Sequence, residues 1–158
     1  MFRRKQRLHA EESPQRKIVP AKYRIEFEGD RCIWCRNCEL VCSLHHEGEC
    51  NPELARIHIF LDQFEVEVEG HVCRQCDDPQ CLYVCPVGAI QVDEITGARI
   101  ILEDRCVACG LCSEVCPYGR ENIVFNPKRN VYVKCDLCSG MPQCVETCPS
   151  GALKYVQL

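Results

Sequence analysis

Short apolar runs separated by turn residues recur along the chain, a pattern that favours small antiparallel hairpins over long helices. Residues 90–92 and 99–102 are largely apolar, and Thr96-Gly97 between them is a turn signal, so they predict one hairpin. Residues 123–125 and 131–133 flank an Asn-Pro pair and predict another. No run approaches the roughly 20 apolar residues that a membrane-spanning helix needs.

A third hairpin is predicted by the alternation of apolar and polar residues over 56–61 and 64–69, with Asp62-Gln63 at its turn. Because side chains alternate between the two faces of a strand, three carboxylates would share one face: Glu65, Glu67 and Glu69. The simplest interpretation of this acidic face is a solvated strand surface.

The cysteine content changes this picture, because 17 of the 158 residues are Cys. A secreted disulfide scaffold is the ordinary interpretation, but the count is odd and the chain is about twice the size of typical disulfide-dense domains. Residues 1–22 contain no apolar signal segment, and Arg3-Arg4 is not followed by the hydrophobic stretch of an export signal. We therefore expect a soluble, cytoplasmic protein that uses its cysteines for metal or redox chemistry.

Sixteen of the cysteines form four groups of four, which repeat in the order A, B, A, B. Groups one and three are spaced C-x2-C-x2-C-x3-C, whereas the middle gap widens to four residues in group two and five in group four. A Pro follows every group except group one, which is followed by Ser43. The members are, in chain order, Cys32, Cys35, Cys38 and Cys42; Cys73, Cys76, Cys81 and Cys85; Cys106, Cys109, Cys112 and Cys116; and Cys135, Cys138, Cys144 and Cys148.

This spacing is the bacterial ferredoxin signature, in which three closely spaced Cys bind one [4Fe–4S] cluster and the fourth binds the other cluster of the pair. Thiolate sulfur suits iron–sulfur clusters. We expect the fourth Cys of a group at the start of a short helical turn that the following Pro ends. Zinc is the alternative, because C-x2-C pairs bind it readily, but a zinc site has no use for the third Cys or for the Cys-Pro.

The central hairpin joins groups two and three into one ferredoxin-like unit, which we expect over residues 71–124. The exchange of the fourth Cys predicts its two ligand sets: Cys73, Cys76, Cys81 and Cys116, and Cys85, Cys106, Cys109 and Cys112. Each set takes three ligands from one group and one from the other.

Groups one and four remain, and the apolar runs beside them indicate how they meet. Residues 23–27 precede group one as one strand of the central hairpin precedes group three, and residues 153–156 follow group four as the other strand follows group two. The chain ends therefore predict a hairpin without its turn, in a permuted unit over residues 21–70 and 125–158 into which the first unit is inserted. Its predicted ligand sets are Cys32, Cys35, Cys38 and Cys148, and Cys42, Cys135, Cys138 and Cys144.

The predicted fold class is therefore α+β: two ferredoxin-like units related by pseudo-two-fold symmetry, with short hairpins and small helices. These cysteine groups resemble the four-cluster iron–sulfur subunits of the dimethyl sulfoxide reductase electron-transfer family over about residues 21–158. Residues 42–48 (CSLHHEG), with Asn51-Pro52 and Ala55-Arg56-Ile57, are similar to the small subunits of tungsten aldehyde oxidoreductases and of carbon monoxide dehydrogenases. The resemblance implies four [4Fe–4S] clusters, a catalytic tungsten or molybdenum oxidoreductase subunit as partner, and a further redox subunit or carrier.

The sequence contains no G-x-G-x-x-G after a strand, no P-loop and no H-E-x-x-H motif, and nothing in it predicts nucleic-acid binding. If all sixteen grouped Cys are ligands, every cluster is coordinatively full and no iron is open to substrate. We therefore expect an electron-transfer subunit that is no enzyme on its own, with a tungsten aldehyde oxidoreductase as the candidate partner. A freely diffusing ferredoxin, an electron carrier of carbon monoxide dehydrogenase and a cluster-bearing maturation or regulatory module are the alternatives.

Four residues beside group one have an ordinary interpretation as well as a functional one. Cys50 is either an inert spare thiol or a redox thiol. His45 and His46 are hydrogen-bonding residues, or else metal ligands or proton relays. Trp34 either shields a cluster from water or relays electrons.

Groups one and three differ between their second and third Cys, where Arg36-Asn37 replaces Gly110-Leu111. A cation and an amide donor near a cluster favour its reduced, more negative form. We therefore expect the cluster of group one to have a higher potential than the cluster of group three.

Charge is divided unevenly along the chain. Residues 1–24 contain eight Lys or Arg and two Glu, a net charge of +6, whereas the remaining residues contain eleven Lys or Arg and 21 Asp or Glu, a net charge of −10. The basic arm, residues 1–20, lies outside the resemblance. It is either a simple tail or a segment that docks on an acidic surface of the catalytic partner or of another copy, which would give self-association.

Overall fold

Residues 19–158, which the computed structural model describes, fold into eight short strands and four helices of a small α+β protein. The strands form two-stranded antiparallel sheets. In chain order the elements are β1 (Tyr23–Phe27), α1 (Asn37–Glu47), β2 (Ile57–Asp62), β3 (Glu67–Val72), α2 (Gln80–Val84), β4 (Ile90–Val92), β5 (Arg99–Ile101), α3 (Leu111–Glu114), β6 (Val124–Asn126), β7 (Val131–Val133), α4 (Gln143–Glu146) and β8 (Leu153–Gln157).

Three of the sheets are hairpins of consecutive strands, and the fourth joins the two ends of the described chain. β1 pairs with β8, and Ile25 lies opposite Tyr155. The rings of Tyr23 and Tyr155 stack beside this pair, with their centroids 4.9 Å apart. The predicted pairing of the first and last strands is confirmed, and so is the central β4–β5 hairpin.

The β2–β3 hairpin differs from its prediction, because β3 begins three residues later than expected. The Asp62 carboxylate accepts hydrogen bonds from the backbone N–H of Phe64 (2.8 Å) and of the next residue (3.2 Å). Val66 has a left-handed φ of 57°, so the turn extends through it. The predicted strand over 64–69 is wrong, since the Asp side chain stabilises a longer turn. Of the predicted acidic face, Glu67 and Glu69 lie on the strand.

Each cysteine group contains one α-helix, and the predicted place of the fourth Cys is wrong. In groups two, three and four the third Cys lies in the helix, and the fourth follows its end by one or two residues. The Pro that follows disfavours helical conformation at the fourth Cys, so the helix ends before it. Group one has Ser43 there instead, and α1 continues to Gly48, which ends it with a φ of 75° and donates its N–H to the Leu44 carbonyl.

The apolar core has two parts. The larger contains Ile25, Ile57, Leu137 and Leu153 together with cysteines of groups one and four and Cys73 of group two. The smaller contains Leu82, Ile90 and Ile123 together with cysteines of groups two and three. Correspondingly, α1 packs against α4 and α2 packs against α3. No helix within residues 19–158 has the length and apolar character to cross a bilayer.

Candidate iron–sulfur sites

The first cysteines of every group lie on loops of the same backbone shape. In all four groups the residue before the second Cys is left-handed: Trp34 (φ 52°), Gln75 (51°), Ala108 (56°) and Leu137 (62°). In three groups the residue after the second Cys is left-handed too: Arg36 (58°), Gly110 (80°) and Ser139 (54°). In groups one and three these residues flank the second Cys, whereas in group four Cys138 itself is left-handed as well (46°). Changes between right- and left-handed backbone turn successive N–H groups toward one side and form a concave anion site, as at many iron–sulfur centres. These loops therefore suit an anionic cluster.

Three pockets of similar size are each lined by four of the grouped cysteines. Their volumes are about 290, 320 and 350 Å³ with the adjoining open solvent included. We call them the second site (Cys42, Cys135, Cys138 and Cys144), the fourth site (Cys85, Cys106, Cys109 and Cys112) and the third site (Cys73, Cys76, Cys81 and Cys116). Each joins three cysteines of one group to one cysteine of another, the sets in which the sequence analysis placed them. The donor set of four thiols fits one [4Fe–4S] cluster per pocket.

The first site is the remaining set, Cys32, Cys35, Cys38 and Cys148. The Arg31 guanidinium donates a hydrogen bond to the Ser150 carbonyl (3.3 Å), which holds the segment after Cys148 beside the loop of group one. Burial opposes ionisation of Cys148, but N–H groups of residues 150, 152 and 153 and the Ser150 hydroxyl outweigh it and lower the pKa of this thiol. Cys148 is thus surrounded by donors that favour a thiolate ligand.

For several of the cysteines inside the protein, burial dominates and the net pKa shift is upward. Burial raises the pKa of Cys38 to about 12, with a further contribution from the Glu39 carboxylate, and raises the pKa of Cys42 to about 11. It also raises the pKa of Cys112 to about 12. Since iron binds the thiolate, these ligands need the positive charge of iron before they ionise.

The four sites lie in succession. Helices α1 and α4, which contain ligands of the first and second sites, pack against each other, and so do α2 and α3, which contain ligands of the third and fourth sites. The buried Gln75 amide bridges the second and third sites, because its Nε2 donates to the Cys135 carbonyl (2.8 Å) and its Oε1 accepts from the Arg99 N–H (2.7 Å). These contacts order the sites from first to fourth.

The two ends of this succession are open to solvent. Cys35 of the first site and Cys109 of the fourth are exposed, whereas the cysteines of the second and third sites are buried or half-buried. Exposed apolar residues lie close to both cysteines in the chain: Ile33 is 65% exposed, Trp34 is 42% exposed and Val107 is 59% exposed. Both ends therefore present an exposed cysteine with exposed apolar residues beside it.

Two charged residues at the third site were not identified from the sequence. Lys134 and Arg99 are buried and line the same pocket as its four cysteines. The sequence contained one signal for Lys134, which is its position between the apolar Val133 and the grouped Cys135. Charged side chains are normally exposed, so a pattern of polar and apolar residues does not reveal them.

The Arg36 side chain, which was expected to raise the potential of the first site, forms an ion pair with Glu39. The Glu39 carboxylate is buried and also accepts a hydrogen bond from the Ile59 N–H (3.0 Å). This carboxylate compensates much of the Arg36 charge. A higher potential at the first site than at the fourth stays a prediction. The ion pair with Glu39 gives it less electrostatic support than the sequence suggested.

The residues after group one occupy the edge of the second site. His46 Nε2 lies 3.7 Å from Cys138 Sγ and 3.5 Å from an Asp136 oxygen, and burial lowers the pKa of His46 to about 4. His45 meets the His46 ring edge-on, and these two rings with Cys138 have the spacing of a metal site. Because Cys138 shares its pocket with three other cysteines, a hydrogen-bonding role fits His46 better. Cys50 is exposed and lines none of the three pockets.

Comparisons with known proteins show the same chemistry. A family model described as a 4Fe-4S dicluster domain matches residues 64–158. The chain is 44% identical over 130 residues to the polyferredoxin-like subunit of an aliphatic sulfonate oxidoreductase from Pyrococcus furiosus, covering 80% of this chain and 73% of that protein. It is 35% identical over 153 residues to the electron transport protein HydN of Escherichia coli K12, covering 82% of this chain and 85% of that protein.

The fold also has a counterpart among solved structures. A chain in the active-site complex BamBC of benzoyl coenzyme A reductase with benzoyl-CoA superposes with a TM-score of 0.51 at 24% identity, over 86% of this chain and 80% of that one. This likeness concerns the fold. With the family match, the two relatives and the pockets lined by four cysteines, the chain belongs to the 4Fe-4S dicluster family and is an iron–sulfur electron-transfer protein.

Proposed function

We propose that this chain carries four [4Fe–4S] clusters and conducts electrons between a catalytic oxidoreductase subunit and a second redox partner. The observation that carries the proposal is the succession of four cysteine sites with an exposed thiol at each end, Cys35 and Cys109. An electron entering at one end would pass through two buried sites before it leaves at the other. The sixteen grouped cysteines are the proposed ligands, in the four sets named above.

The two proposed ferredoxin-like units follow from the same geometry. Residues 71–124 would form the inserted unit, and residues 21–70 with 125–158 the permuted one. The pairing of β1 with β8 and the packing of α1 on α4 and of α2 on α3 support this division.

The chain's own contribution is to hold thiolates, exclude water and donate hydrogen bonds to sulfur. Backbone N–H groups of Arg56, Ala89 and Tyr132 lie 3.3, 3.2 and 3.5 Å from the sulfurs of Cys42, Cys85 and Cys106. Hydrogen bonds to ligand sulfur raise the potential of an iron–sulfur cluster. When bound, each cluster supplies the one-electron redox chemistry.

The proposed partner is a catalytic tungsten or molybdenum subunit, with a tungsten aldehyde oxidoreductase as the candidate. The similarity of residues 42–57 to small subunits of such enzymes supports it, and the Pyrococcus relative is itself named as a subunit of an oxidoreductase. The density of cysteines proposed as iron ligands supports a cytoplasmic location, since disulfides persist in oxidising compartments. The basic arm falls almost wholly outside the described residues, and its docking on a partner or on another copy remains part of the proposal.

The proposal is tested on the native complex, purified anaerobically through an affinity tag on this chain. We expect tungsten or molybdenum in the complex, in fixed ratio to iron, and substrate-dependent reduction of the iron–sulfur clusters. An isolated 18.1 kDa species without a second subunit would instead favour the freely diffusing ferredoxin.

Two single variants test whether one partner binds at each end. Because a charge in a desolvated apolar contact is costly, Ile33→Glu should slow electron transfer with one partner at least tenfold, and Val107→Glu should do so with the other. Phe64→Glu is the matched control, since Phe64 is 97% exposed in the β2–β3 turn. All three should keep the wild-type iron content. A two-ended path would be contradicted if both end variants slowed electron transfer equally with one partner and neither slowed it with the other.

A further inference from the structure

We propose that Lys134 and Arg99 are positioning residues that make the third site the most easily reduced of the four. A single electron on the chain would then reside at the third site, inside the protein and away from both exposed ends. The inference rests on the proposed function, because it requires that the third site hold a cluster.

Both cations lie at the third site and are shielded from solvent. Lys134 is 3% exposed and Arg99 is 0% exposed, and both line the pocket of the four cysteines. Lys134 Nζ lies 3.8 Å from Cys81 Sγ and also interacts with Cys73. Arg99 Nη1 donates to the Gly97 carbonyl, while its Nε and Nη2 are buried without a hydrogen-bond partner among the described residues.

Among the described residues, no carboxylate pairs directly with either of these two cations. Within residues 19–158, neither forms an ion pair with an acidic side chain at 4.0 Å or less. Asp77 acts on Arg99 from a longer distance. Burying an unpaired charge is unfavourable, so the structure calls for an anion in this pocket.

The first and second sites have cations that are already paired. Arg36 of the first site is paired with Glu39. Arg56, beside the second site, is paired with Asp136 at 2.8 Å and with Glu103 at 3.4 Å. No charged side chain of the described residues lines the pocket of the fourth site. The third site therefore differs from the others in having two cations without an ion-pair partner within its walls.

A bound cluster would supply negative charge where these two cations lie. Its four thiolate ligands line the same pocket as Lys134 and Arg99.

Reduction increases the attraction between the cations and the site. By ligand counting, an oxidised [4Fe–4S] cluster with four thiolates has a net charge of about −2, and one electron makes it about −3 without any bond or proton changing. The electron comes from a neighbouring reduced iron–sulfur site. Fixed cations in a low-dielectric pocket favour the more negative state, and so raise the potential of the third site relative to the others.

The test is a redox titration of the purified holoprotein with dithionite, followed by EPR. Cys76→Ser identifies the third-site signal as the one that it removes or alters. In the wild type, this signal should be the first to appear on reduction. In Lys134→Met, half-reduction of this signal should need at least a tenfold higher ratio of reduced to oxidised mediator. For a one-electron couple this corresponds to a midpoint potential lower by 59 mV.

Matched variants separate charge from structure. Lys134→Arg should keep the midpoint near the wild-type value, and Arg99→Met should lower it as Lys134→Met does. Lys154→Met, at an exposed lysine paired with Glu28, should shift no midpoint. If Lys134→Met loses iron, Arg99→Met decides: a lowered midpoint supports the inference and an unshifted one overturns it.

Two outcomes would overturn the inference directly: a wild-type protein in which another signal appears first, or an iron-replete Lys134→Met with an unchanged midpoint. Failure of the proposed function gives a different result. The wild-type protein would then contain fewer than four reducible clusters.

Discussion

Replacing Cys148 with Ser should remove the iron held by Cys32, Cys35 and Cys38, although Cys148 is more than a hundred residues away from them in the sequence. The reason is the exchange of the fourth ligand between paired groups, which assigns Cys148 to the first site. The holoprotein should lose about four iron atoms, one cluster's worth. The EPR component that disappears should be the one that Cys35→Ser removes.

Cys50→Ser is the matched control for this experiment, because Cys50 is exposed and outside the proposed sites. It should retain the full iron content. If Cys148→Ser instead removes the EPR component that Cys138→Ser removes, Cys148 belongs with the other cysteines of its own group, and the exchange of ligands is wrong.

Removing iron under reducing conditions should unfold the protein. The helices α2, α3 and α4 have four or five residues each, too few to persist without the packing around the sites. Without a cluster, Lys134 and Arg99 would remain as buried charges, at a cost of several kcal/mol each. Domains of this size have a free energy of unfolding of about 5–15 kcal/mol. We expect the stability lost with the clusters to exceed this free energy.

Circular dichroism and hydrogen exchange measure this loss after treatment with EDTA and dithiothreitol, the latter to prevent disulfides. We expect loss of ordered secondary structure and of protection in the β1–β8 pair, with recovery on adding back ferrous iron and sulfide. An iron-free protein in which β1 and β8 keep their native protection would show that the polypeptide folds without its clusters.

The central features of this fold were predictable because cysteine spacing fixes which segments must meet. The pairing of β1 with β8 followed from matching residues 23–27 and 153–156 to the strands of the central hairpin, and the structure has it in the predicted orientation. The three pockets lined by four cysteines follow from the same spacing, since each loop positions three thiols and the fourth Cys of a group extends to the next site.

Other features depended on contacts that the sequence pattern does not reveal. The longer β2–β3 turn is stabilised by the Asp62 carboxylate and the left-handed Val66, although alternation through residues 64–69 had predicted a strand. The burial of Lys134 and Arg99 depends on the anionic surroundings of the third site, which arise after distant cysteines have been brought together. Arg36 lost much of its predicted effect because Glu39, three residues later, turns back to pair with it.

Iron and acid-labile sulfide analysis of the anaerobically purified native protein tests the central claim most directly. Four [4Fe–4S] clusters require about sixteen iron and sixteen sulfide per chain. We expect both values, with every cluster reducible by dithionite. About eight iron per chain in a preparation with full electron-transfer activity would contradict the four-cluster path, since two of the four sites would then be dispensable.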